Sequence, residues 1–99
     1  MNVIGYFKRS GKEFLGEVIT LSVQAKEVRI APAPSGSIPG RPTHCVYVGR
    51  VIIGFGRPSN PAFGVLMLEL DDPSFSGPIS AVLREDDDSE TYVLEWQRS

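Results

Sequence analysis

Ninety-nine residues with 41% hydrophobic and 22% charged side chains are enough for one folded domain with a modest core, and too few for separate catalytic and substrate domains. The longest apolar runs fall far short of the roughly 20 residues of a membrane-spanning helix, and the N-terminus lacks the features of an export signal. The single Cys45 forms no intrachain disulfide, so the expected setting is the cytoplasm, with no membrane partner.

The net charge of -2 conceals a split. Residues 1–57 carry eight basic side chains against three acidic ones, leaving +5, whereas residues 58–99 carry two against nine, leaving -7. Such a chain is electrostatically polar unless folding interleaves its halves.

Along the chain, hydrophobic residues alternate with period two. Strands are predicted over 3–8, 13–22, 26–31, 44–48, 51–56, 63–70, 79–84 and 91–97, with Val28 and Ile30 alternating against Glu27 and Arg29, and Leu66, Leu68 and Leu70 forming one buried face. A helix over 13–28 is disfavoured by Gly16 and the β-branched Val18, Ile19, Thr20 and Val23. Ser10-Gly11-Lys12 and Gly49-Arg50 read as tight hairpin turns, the second with glycine in the first loop position of a type II′ turn. The fold class is therefore all-β: a small antiparallel barrel or sandwich of about seven to eight short strands. One domain spans 1–99, with an exposed proline-rich loop at 31–43 as a candidate binding segment.

Four features invite a chemical reading. His44 and Cys45 are the sole histidine and cysteine, but neighbours on a strand point to opposite faces and cannot share a proton, and a zinc site needs further spaced ligands. "EDDDSE", with Asp86, Asp87 and Asp88, lacks the ligand spacing and turn glycine of a calcium loop and reads as a solvated hairpin tip. Gly-Arg dipeptides place Arg41, Arg50 and Arg57 in or beside loops, near Phe55, Tyr47 and Phe63, a mixed basic and aromatic composition of the kind single-stranded nucleic acid uses; solvated turns are the simpler explanation in an acidic chain. In "LDDPSF", Asp71 and Asp72 end a strand, and Asp72, Pro73 and Phe75 belong to a type I turn in which the Asp72 carboxylate accepts backbone N–H bonds. No catalytic residue, metal site or cofactor is expected, since no phosphate loop, nucleophile elbow or dinucleotide fingerprint occurs.

The motifs "IGYF", "FLGEVITL", a glycine hairpin followed by "IGFG", "LDDPSFSGPISAVL" and the closing "LEWQR" together resemble a bacterial domain-of-unknown-function family, number 736. The most specific part comprises Leu70 to Phe75, Pro78, Ile79, Ala81 and Leu83. The resemblance implies small soluble proteins carried on plasmids and other mobile elements, without an established reaction. In that family the segment after the glycine hairpin tends to carry a tryptophan and lysines, where this chain has Phe55 and Arg57, which weakens a strongly basic binding face. The expected function is a non-enzymatic module that binds a macromolecular partner, either single-stranded nucleic acid or a protein that handles it. The alternative is an inhibitor of a host defence enzyme whose acidic C-terminal half mimics nucleic acid. A homodimer through an unpaired edge strand is a further expectation.

Overall fold

A computed structural model describes residues 3–20, 24–34, 40–60, 64–73, 77–86 and 90–97. Eight strands follow one another in chain order: β1 (Val3–Ser10), β2 (Glu13–Ile19), β3 (Gln24–Pro32), β4 (His44–Val48), β5 (Val51–Pro58), β6 (Leu66–Leu70), β7 (Ile79–Glu85) and β8 (Thr91–Gln97). Each pairs antiparallel with its successor, and β8 pairs with β1 to close an up-and-down barrel. Of the two architectures left open by the sequence, the barrel is therefore the one adopted.

The period-two pattern sets the inside of the barrel. Phe7, Phe14, Val18, Val28, Ile30, Val46, Leu66, Leu68, Leu70, Leu83 and Leu94 are buried in one cluster that fills the interior. Phe14 and Tyr92 meet edge to face, with ring centroids 4.9 Å apart, near one end of that core. A barrel of eight strands has an interior just wide enough for side chains.

Small residues stand opposite the large ones. Gly16 pairs with Phe7, Gly54 with Leu70, and Gly56 with Leu68, which also faces Ala81 across β7. These glycines are required by close approach. A Cβ on Gly16 would stand 2.0 Å from the Tyr6 carbonyl oxygen and 2.8 Å from the Phe7 ring, and one on Gly54 would stand 2.5 Å from the Glu69 oxygen. The two-residue turns contain the other essential glycines: Gly11 and Gly49 adopt φ of +63° and +60° at the first turn position.

Besides a register shift between Val3 and Gly5 on the β1–β8 seam, two irregularities were not visible in the alternation. The register of β2 against β3 shifts between Gly16 and Val18, leaving Lys26 and Glu27 opposite Glu17, and Glu27 adopts φ +60°. The simple alternation expected at Glu27 is thus replaced by a bulge, which bends the strand and raises its twist. A second shift places Ile53 as the extra residue of β5, and its carbonyl accepts the Asp71 N–H at 2.7 Å.

Closure also corrects an expectation about association. Every strand has a partner on both sides, so no edge strand is free to form a dimer. Self-association through backbone pairing is thereby removed, which leaves the outer walls and the mouths.

Substituting Gly16 by Ala is expected to cost about 3 kcal/mol or leave the chain unfolded, because the new methyl group meets backbone that cannot move aside. Gly77, with nothing within 4 Å of an added Cβ, is expected to accept Ala within about 0.5 kcal/mol. Urea unfolding of the two variants makes the comparison; equal losses would contradict the packing described.

Candidate functional site

A meander keeps sequence neighbours adjacent in space, so the charge split survives folding. Residues 1–57 build the wall from β1 through most of β5, and residues 58–99 build the wall of β6, β7 and β8. The halves do not interleave: a basic-rich arc meets an acid-rich arc at two seams, β5–β6 and β8–β1.

The β5–β6 seam carries a groove of about 560 Å³. Phe55 and Arg57 lie two residues apart on β5 and therefore project from the same outer face. The register sets Phe55 against Glu69 and Arg57 against Met67 across the seam. Ile52, Asp71, Ser80 and Pro42 also line it. Phe55 is 50% exposed, Ile52 47% and Met67 41%; Tyr6, Leu15, Ile19, Val51 and Val65 are exposed elsewhere, but these three line one groove together. Pro42 reaches the groove because the Thr43 N–H donates to the Gly56 carbonyl at 2.9 Å, tying the end of the proline-rich loop to β5.

Of the three arginines singled out in the sequence, two come together. Arg57 is the penultimate residue of β5, and Arg41 lies two residues before the Thr43 anchor, at the same end of the barrel. Arg50 is in the β4–β5 turn at the opposite end, the full length of β5 away from Arg57. Asp86 and Glu90 flank the β7–β8 turn at the Arg57 end; Asp87 and Asp88 lie outside the described residues. The opposite end carries Asp72 and Pro73, while Ser74 and Phe75 are outside the description, so the type I turn there is not seen in full. Asp71 is exposed and lines the groove, its N–H bound to Ile53. Leu66, Leu68 and Leu70 are buried on one face as expected.

Around the wall from Phe55, the outer row contains a cluster that the sequence did not suggest. Arg29 lies over the Tyr47 ring, 4.5 Å from its centroid, and its guanidinium donates to Glu13 at 3.1 Å. The register alone brings them together, since Leu15 pairs with Arg29 and Arg29 with Tyr47. Desolvation and the neighbouring Cys45 thiol raise the Tyr47 phenol above its ordinary value, while Arg29 acts in the opposite sense. Arg84 and Glu95 form a second ion pair, diagonal across β7 and β8.

His44 and Cys45 do point apart. His44 falls on the inner parity, paired with Pro32 and Gly56, whereas the buried Cys45 lies between Ala31 and Phe55 on the outer row. The His44 Nδ1 lies 2.9 Å from the Thr43 hydroxyl. Among the described residues, no group of three or more His, Cys, Asp or Glu side chains is placed to hold a metal ion.

Burial lowers the His44 pKa from the ordinary imidazole value. With the folded value below the unfolded one, the unfolded chain binds the proton more readily. Stability from this group is present above about pH 6.5 and is lost as pH falls through that value toward the folded one. Between pH 7.5 and 5.5 the urea midpoint of the wild type is expected to fall more than that of His44→Gln; parallel curves would contradict this.

No match to a curated protein or to a solved structure was found. A family model described as a protein of unknown function, DUF736, matches residues 3–99, and the chain belongs to that family.

Proposed function

We propose that this protein is a non-enzymatic binding module of the cytoplasm that docks a protein partner on the outer wall at the β5–β6 seam. The observation that carries this reading is the strip formed by Ile52, Phe55 and Met67, left 41% to 50% exposed beside a basic residue on one strand and acidic residues on the next. Aromatic, Met and Arg side chains are the types enriched where proteins bind proteins, and anchors of this kind contribute most of the binding energy. A partner segment with an apolar anchor flanked by one acidic and one basic group would match Arg57 on one side and Glu69 with Asp71 on the other. Partners that handle nucleic acid fall within this class.

Single-stranded nucleic acid is the second reading. Phe55 offers a face for base stacking, with Arg57 beside it and Arg41 at the same end of the barrel for phosphate. Glu69 and Asp71 in the same groove work against it, because a phosphate backbone would be drawn past two carboxylates. An aqueous setting is supported by the filled apolar interior, where a barrel facing lipid has a polar one.

The test takes partner proteins captured from a native host, purifies them and measures their affinity for the wild type, Phe55→Ala and Arg50→Ala. Nuclease-resistant binding that weakens by at least about 30-fold, about 2 kcal/mol, for Phe55→Ala but is unchanged for Arg50→Ala is the expected result. Saturable binding of a single-stranded oligonucleotide, lost with Phe55→Ala and falling steeply as salt rises, would replace it with the second reading.

A further inference from the structure

The loops at the Arg57 end of the barrel surround a second cavity, of about 370 Å³, which is separate from the outer wall. Its lining comes from distant parts of the chain: Arg9 at the end of β1, Lys12 in the β1–β2 turn, His44 at the start of β4, and an apolar floor and side that include Phe14, Pro32 and Leu66. Inner parity explains the convergence. Arg9 pairs with Phe14, Pro32 with His44, and each continues a row of core residues to the mouth of the barrel. The interior beneath is filled, so a ligand would reach the mouth and stop at the Phe14 ring.

The charge of this cavity runs against that of the chain. Among the described residues, Arg9, Lys12 and His44 supply every ionisable group in its lining. Of the described acids at this end, Glu13 pairs with Arg29 on the outer face, and Glu85 accepts the Tyr92 hydroxyl at 3.5 Å. Asp86 and Glu90 belong to the β7–β8 part of the same rim and do not line the cavity. Among the described residues, no carboxylate lies within ion-pair distance of Arg9 or Lys12; the Arg9 Nε donates to the Gly11 carbonyl at 3.1 Å. Cationic groups gathered around an apolar floor in a barrel mouth, in a volume typical of small-molecule sites, form a site for an amphipathic anion.

We propose that the mouth formed by Arg9, Lys12, His44 and Phe14 binds a small organic anion, a phosphate or carboxylate borne on a flat apolar body. The anionic group lies between Arg9, Lys12 and His44, and the body rests against Phe14 and Leu66. The site is independent of the groove at the β5–β6 seam, and either can fail without the other.

His44 is the chain's one histidine, so its ring C–H signals in a proton spectrum are assigned without ambiguity. The probes are phenyl phosphate, benzoate, inorganic phosphate and benzyl alcohol, titrated at constant pH. Phenyl phosphate and benzoate are expected to shift the His44 signals saturably, with Kd on the order of 1 mM or tighter, and to move the His44 titration upward in pH as the bound anion favours the imidazolium. Inorganic phosphate is expected to bind at least about 10-fold more weakly, and benzyl alcohol to produce no saturable shift. The double variant Arg9→Gln, Lys12→Gln should weaken phenyl phosphate by at least about 10-fold with an unchanged circular dichroism spectrum; if that variant fails to fold, Lys12→Gln alone, at an exposed turn position, should weaken it measurably. The proposal is overturned by the absence of a saturable shift below about 10 mM of either organic anion, by equal affinity for inorganic phosphate or benzyl alcohol, or by full affinity in the folded variant. A difference between phenyl phosphate and benzoate identifies which anionic group the site prefers.

Discussion

The pairing of β8 with β1 is the constraint on which the rest of the structure depends. An open meander of eight short strands would expose two rows of unpaired backbone groups and leave one face of its sheet uncovered. Closing it removes both edges and turns the inner face into a single core, but only if the inside fits. That requirement accounts for the placement of Gly16, Gly54 and Gly56, each opposite a large core side chain and each with backbone or side chain too close for a Cβ. The bulges at Glu27 and Ile53, with the register shift at Ile4 on the closing seam, supply the added curvature that eight strands of this length need.

Closure also decides where function can be. With the interior filled and no edge exposed, neither an internal ligand nor an added strand has a place, and contact is confined to the outer walls and the mouths. Up-and-down topology then turns the asymmetric charge of the sequence into a spatial one, because residues close in sequence remain on the same arc of wall. The β5–β6 seam is where the basic-rich arc meets the acid-rich arc on the same surface as the exposed apolar strip, and the proposed docking groove follows that line.

Much of this was legible in the sequence. The strands of the barrel follow the alternation of Val28 with Ile30 and of Leu66 with Leu68 and Leu70, and the turns at Gly11 and Gly49 follow from glycine's access to positive φ. The pairing of Phe55 with Arg57 as a surface feature was also visible, because two residues apart on a strand means one face. Register was not visible. Arg29 stacks on Tyr47 and Arg9 shares a cavity with His44 only because of pairings between strands, which period-two patterning does not specify. Glu27 gave no sign of its left-handed backbone, since a bulge is imposed by the curvature of the whole barrel and glutamate is an uncommon residue to adopt it. The three Gly-Arg dipeptides looked equivalent, yet alternating strand direction sends Arg50 to one end and Arg41 and Arg57 to the other.

Closure is tested most directly by amide hydrogen exchange in native conditions, with the amides of β1 and β8 compared with those of β3 and β4. In a closed barrel the paired residues Gly5, Phe7, Val93 and Leu94 belong to the same cooperative unit as Val28 and Val46, and their amides are expected to exchange only through global unfolding, at the same slow rate. Exchange of the β1 and β8 amides orders of magnitude faster than that of β3 and β4 would mean an open sheet with two free edges, and would contradict both the fold and the confinement of binding to the outer wall and the mouth.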